Sequence, residues 1–106
     1  MDFELSREQK LIQKMIREFT ETEIAPIAAE TDKTCTYPAQ TIEGLFNCGV
    51  MGMAVPKEYG GAGADALSAA ICVEEISKAC ASTGDIVATH NGLCCAPILE
   101  NGTEEQ

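Results

Sequence analysis

Val55-Pro56-Lys57-Glu58-Tyr59-Gly60-Gly61-Ala62-Gly63, then the run from Asp65 to Cys80, then Ala81-Ser82-Thr83-Gly84 is the stretch that decides how this chain folds. Gly60, Gly61 and Gly63 permit backbone conformations that other residues resist, which predicts a tight connection. Asp65 or a nearby residue is placed to cap the helix that follows. Along that helix, to about Ala81, Ala66, Ala69, Ala70, Val73, Ile76, Ser77 and Cys80 recur on one small-residue face, with Leu67 and Ile71 beside them. Mainly Glu74, Glu75 and Lys78 are left for water, so the helix is expected to pack on most of its sides. Ser82 or Thr83 then caps a last helix running to about Asn101, with Asp85 near its positive end. Pro97 predicts a kink or a second short helix late in that segment.

Working back toward the start, Ser6 with Gln9 three residues on is a helix-start signal. Ile12, Met15, Ile16 and Phe19 follow at the spacing of one buried face, while Arg7, Lys10, Lys14, Arg17, Glu18 and Glu21 lie opposite. Pro26 predicts a break or kink near Ala25 and a second short helix through about Thr31. Pro38 suits the first turn of a third helix with Ile42, Leu45 and Phe46 as its apolar stripe and Gly49 at its end. Val50 to Tyr59 reads as irregular or extended chain. No period-2 alternation calls for a sheet, so the expected fold class is all-α, with about five to six helices in one domain over residues 1–106.

The formal net charge is −10, with no Lys or Arg after Lys78, which argues against nucleic acid or an anionic membrane surface as partner. No run approaches a membrane span, and Met1-Asp2-Phe3-Glu4 lacks the character of a secretory signal. A cytoplasmic protein is expected. The six cysteines, Cys35, Cys48, Cys72, Cys80, Cys94 and Cys95, contain no Cys-x-x-Cys pair, and His90 is the only histidine, so no metal site is expected. Cys72, Cys80 and Cys94 are read as small buried apolar side chains with reduced thiols.

Several features resemble catalytic motifs without meeting their requirements. The glycine loop follows no strand and has neither dinucleotide spacing nor a P-loop ending. Glu74 and Glu75 are adjacent on a helix, point about 100° apart, and are read as a solvated face or an intersubunit contact. His90 has no identified nucleophile or orienting acid, which favours a structural or pocket-lining role. No catalytic residue is assigned.

Taken together, Leu5-Ser6-Arg7-Glu8-Gln9, Glu23-Ile24-Ala25-Pro26-Ile27-Ala28, Val55 to Gly63, Val73-Glu74-Glu75-Ile76-Ser77, Cys80 to Gly84, Pro97-Ile98-Leu99 and Gly102 to Gln106 resemble, in order, the amino-terminal helical domain of the acyl-CoA dehydrogenases. The resemblance implies a parent enzyme that oxidises a short-chain acyl-CoA such as butyryl-CoA to the trans-2-enoyl-CoA. In that chemistry a glutamate removes the α-proton, the β-hydrogen passes as hydride to FAD, and electrons leave to an electron-transfer flavoprotein. It also implies a tetramer or dimer. In the family the helix after the Ser-Thr-Gly segment lines the far end of the acyl cavity, so the substrate-binding positions carried over are Ile86, Val87, Thr89 and Leu93, with His90 the alternative to Thr89. An acyl-CoA oxidase relative and a non-catalytic helical packing module are the competing readings.

Gly102 followed by the capping box Thr103-Glu104-Glu105-Gln106 announces a further helix. The chain is therefore expected to be the amino-terminal part of a longer protein. The resemblance implies that a middle β-domain and a second helical domain follow, carrying the catalytic glutamate and the main flavin-binding motifs.

Overall fold

A computed structural model describes all residues 1–106. The first helix, α1 (Arg7–Phe19), opens with the expected reciprocal cap: the Gln9 amide donates to Ser6 Oγ at 3.1 Å and the Ser6 amide to Gln9 Oε1 at 2.9 Å. Where a break or kink was expected, the helical path is irregular but unbroken. A π-helical turn, Thr20–Ile24, leads directly into α2 (Ala25–Thr34), three residues longer than predicted. Pro26 sits in the first turn of α2, immediately after the widened turn. The longer hydrogen-bond register, with the Ala25 amide on the Thr20 carbonyl, moves the preceding carbonyls away from the proline ring. The same device recurs later in the chain: the π-helical turn His90–Cys95 precedes α6 (Ala96–Asn101), whose first turn holds Pro97.

Pro38 lies just before α3 (Ala39–Asn47), whose buried residues are Thr41, Ile42 and Leu45. Phe46 leaves the expected stripe and is exposed. The stretch read as irregular contains short 3-10 turns at Val50–Gly52 and Lys57–Tyr59, and its Val50, Met51 and Met53 belong to the core with Ile16, Ile24, Leu45, Cys72, Ile76 and Val87. Backbone bonds from Gly63 to Val55 (2.9 Å), Ala62 to Gly52 (3.0 Å) and Ala64 to Met53 (2.9 Å) close the loop. A Cβ on Gly61 would strike the Val55 carbonyl, so only glycine fits that approach.

Asp65 caps α4 (Ala66–Ala79) by accepting from the Ser68 amide at 2.8 Å, and Gln9 of α1 donates to its other oxygen at 2.9 Å. The buried face of α4 matches the expected one at Ile76 and differs elsewhere. Ser68, Ile71, Cys72, Glu75 and Ile76 point inward, packed between α1 and the next helix, while Ala66 and Ala70 are exposed and Ala69 and Val73 half-buried. Burying Ile71 with Ile76 removes more apolar area than burying Ala66 and Ala70, and that sets the helix rotation.

The next helix, α5 (Ala81–Thr89), begins after an extended Cys80 (φ −150°, ψ 101°), two residues beyond the end of α4. Ser82 and Thr83 are therefore inside the helix and do not cap it; Thr83 is buried, its hydroxyl 3.2 Å from Cys80 Sγ. A Cβ on Gly84 would meet Ser77 Oγ, which makes glycine the condition for the close crossing of α4 and α5. The cap pair at the end is present: the Thr103 amide donates to Gln106 Oε1 at 2.8 Å and the Gln106 amide to Thr103 Oγ1 at 3.3 Å. No helix is long and apolar enough to cross a membrane.

Candidate functional site

The helical path from α5 through the π turn into α6 carries every proposed substrate-facing residue, and the fold separates them. Val87 is 2% exposed and belongs to the core. Ile86, Thr89 and His90 are half-buried. The Thr89 hydroxyl is occupied by its own helix, donating to the Asp85 carbonyl at 2.8 Å and lying 3.2 Å from that of Ile86. Leu93, at 77% exposure, stands in solvent. A regular helix would align Leu93 with Ile86; the widened turn His90–Cys95 shifts it off that line.

Asn91 was not singled out in the sequence. Its carboxamide donates to the Val87 carbonyl at 3.0 Å and to the Val50 carbonyl, also at 3.0 Å, joining the π turn to a segment 41 residues earlier. An Asn within a helical run is a signal for side-chain bonding to nearby carbonyls, but nothing local names Val50 as the partner.

His90 stacks edge-on with Phe46 at 5.7 Å between centroids and lies with Nε2 3.5 Å from Cys95 Sγ. Burial, with Cys94 beside it, pushes the Cys95 thiol up, which disfavours the thiolate a nucleophile needs. Cys94 is exposed, against the expectation of burial, because it lies on the outer side of the π turn. Cys72 is buried as expected, and Cys80 is half-buried.

Glu75 overturns its reading as a surface group. It is 2% exposed, with Arg17 donating from Nη2 at 2.9 Å and Nε at 3.1 Å, Lys78 at 2.8 Å and Gln13 at 3.3 Å. The Arg17 hydrogen bonds, foremost, hold its pKa down at about 2. A carboxylate so saturated with donors is a structural anchor and a poor base. Glu74 remains exposed beside Lys78 at 3.5 Å.

Two concavities flank this path. An open groove of about 590 Å³ runs between Ala66, Ala69, Ala70 and Val73 on one side and Val87 and Ala88 on the other. The second, of about 360 Å³, lies between Tyr59, Ile98, Leu99 and the chain end, where the Tyr59 hydroxyl donates to Glu104 at 2.8 Å. The glycine loop cradles no nucleotide, since its interior is taken by Val55 and by the loop's own hydrogen bonds. That loop therefore offers no cradle for a flavin's pyrophosphate. No three metal-ligating side chains converge.

The sequence profile described as "Acyl-CoA dehydrogenase, N-terminal domain" matches residues 6–106. The chain belongs to the acyl-CoA dehydrogenase family. Over all its 106 residues this acyl-CoA dehydrogenase domain is 52% identical to "Acyl-CoA dehydrogenase, short-chain specific" of Clostridium acetobutylicum, covering 28% of that protein. Its fold superposes on butyryl-CoA dehydrogenase of Megasphaera elsdenii with a TM-score of 0.92 at 33% identity, covering 99% of this chain and 28% of that one. A chain in the structure described as "Electron transferring flavoprotein of Acidaminococcus fermentans" is similar too, with a TM-score of 0.95 at 40% identity, 99% of this chain and 28% of that one being covered. The domain thus spans little more than a quarter of these relatives.

Proposed function

We propose that the full-length protein carrying this domain is a flavin-dependent acyl-CoA dehydrogenase that oxidises a short-chain acyl-CoA, such as butyryl-CoA, to the trans-2-enoyl-CoA. The observation that carries this reading is the match of all 106 residues, at 52% identity, to part of a short-chain-specific relative. FAD is the cofactor of the proposed reaction, held by a middle β-domain and a second helical domain beyond residues 1–106. No residue of this domain is assigned to it, and no residue here is assigned as the base. An electron-transfer flavoprotein as acceptor, homo-oligomeric assembly and a cytoplasmic location belong to the same proposal.

Within that enzyme the domain's part is one wall of the acyl cavity. Ile86 and Thr89 present half-buried surface, Leu93 presents fully open apolar surface, and Val87 backs them from the core. Such a wall orients the acyl tail and excludes water from it, which is the protein's contribution in a cofactor enzyme.

The test is made on the full-length protein. It is expected to purify yellow and to reduce an artificial acceptor with butyryl-CoA; a colourless protein, or one inactive on short acyl-CoAs, overturns the reading. Ile86→Ala is expected to raise kcat/KM for hexanoyl-CoA relative to butyryl-CoA, since each methylene newly housed contributes about 0.8 kcal/mol. An unchanged profile in a folded, flavin-loaded variant removes Ile86 from the wall.

A further inference from the structure

Both protons of the Asn91 carboxamide nitrogen are engaged by carbonyls, Val87 on its own helix and Val50 on the turn beside α3. That leaves one orientation for the amide, because reversing it would set an oxygen against two carbonyl oxygens. The carboxamide oxygen consequently faces the other way, buried and without a donor within the domain. The side chain spans three things at once: Val87, the wide turn His90–Cys95 that shifts Leu93 off the Ile86 line, and the core segment around Val50. The Thr89 hydroxyl bonds only to its own helix and gives no such link to the rest of the fold.

We propose that Asn91 is the positioning residue that sets acyl-chain preference, by clamping the π-helical turn His90–Cys95 to the Val50 carbonyl. The proposal rests on the reading of Ile86, Thr89 and Leu93 as the acyl wall. A π turn carries one residue more than the α-helical register requires. When its clamp is lost, the turn is free to relax toward α geometry, and the residues within and after it rotate. Leu93 then moves relative to Ile86, and the length of apolar wall offered to an acyl tail changes without any change in the wall's own side chains. Asn91 touches no reacting atom in this scheme; it acts through the turn.

The experiment uses the full-length flavoenzyme with Asn91→Ala and Asn91→Asp, the second keeping the shape while removing both donors. Catalytic efficiencies are compared for butyryl-, hexanoyl- and octanoyl-CoA, with Ile86→Ala measured alongside. The expected result is a change of at least about fivefold in the hexanoyl-to-butyryl ratio of kcat/KM in both Asn91 variants at full flavin content. A purely structural role would lower the melting temperature and scale all acyl lengths by one factor, leaving the ratio fixed, and that outcome overturns the proposal. If Ile86→Ala shifts the ratio while the Asn91 variants do not, the wall stands and the clamp fails. If none shifts it, both fail. Should Asn91→Ala yield no holoenzyme, Asn91→Ser, which keeps a single donor, is read by the same ratio.

Discussion

Arg17 on α1 grips Glu75 on α4 through two hydrogen bonds, 2.9 Å from Nη2 and 3.1 Å from Nε, across 58 residues of sequence. The forked geometry matches a guanidinium to both carboxylate oxygens, and Lys78 and Gln13 fill the remaining acceptor positions. Arg17 itself stays half exposed, so the desolvated member of the pair is the carboxylate, and it is ionised because donors surround it. The pair fastens the first helix to the helix that faces the core.

The pH dependence follows from Glu75. Its pKa in the fold, about 2, lies below its ordinary value of 4.5, so the unfolded chain takes up this proton first as the pH falls. The stabilisation is fully present above about pH 4.5 and is lost as the pH drops toward 2. Urea unfolding of the domain at a series of pH values is expected to show this loss in wild type and a flatter profile in Glu75→Gln. At pH 7 the substitution is expected to cost about 2 kcal/mol, the scale of a hydrogen bond to a charged group. Parallel pH profiles for the two proteins would contradict the anchor role.

Gly84→Ala is expected to destabilise by about 1–3 kcal/mol, because the new methyl meets Ser77 Oγ and lies within 3.1 Å of Ser77 Cβ. Ser77→Ala removes the hydroxyl and leaves the Cβ contact, so the double variant should recover part of the loss. A double-mutant cycle on thermal unfolding reads the coupling directly. Simple additivity would show that α4 and α5 do not depend on this crossing.

Burial pushes the Cys72 thiol up to about 11, while Cys35 and Cys94 are exposed. Iodoacetamide at pH 8 is therefore expected to modify Cys35 and Cys94 early and Cys72 only as the domain opens, because the thiolate is the reactive form. Mass spectrometry of peptides over a time course checks the order. Early labelling of Cys72 in the folded domain would place it outside the core.

Residues 1–106 purified alone are expected to bind FAD negligibly and to leave butyryl-CoA unoxidised, behaving as a helical packing module. The open groove of Ala66, Ala69, Ala70 and Val73 exposes apolar surface, so self-association is expected in sedimentation measurements. Stoichiometric yellow colour, turnover, or a strictly monomeric fragment would each count against the corresponding part of this expectation.

What the sequence determined by itself was local. Ser6 with Gln9, Asp65 ahead of α4, and Thr103 with Gln106 are caps whose partners lie three residues away, and all three form as expected. The all-helical class followed from periodicity, and the family from blocks in order. Tertiary structure decided what depends on competition or on distant partners. Which face of α4 is buried turned on Ile71 and Cys72 joining Ile76 inside in place of the alanines, and that rotation carried Glu75 inside, where Arg17 on another helix joins Lys78 of its own helix in neutralising it. Pro97 announced an irregularity there, but the separation of Leu93 from Ile86 and the Asn91 bond to Val50 depend on its taking the form of a π turn, which no spacing specifies. These three caps are satisfied within one turn of chain and so are written in neighbouring residues, whereas the expected Ser82 or Thr83 cap gave way to the burial of Thr83 inside α5; helix rotation and buried polar pairing minimise the energy of the whole packed core, and are settled only when distant segments meet.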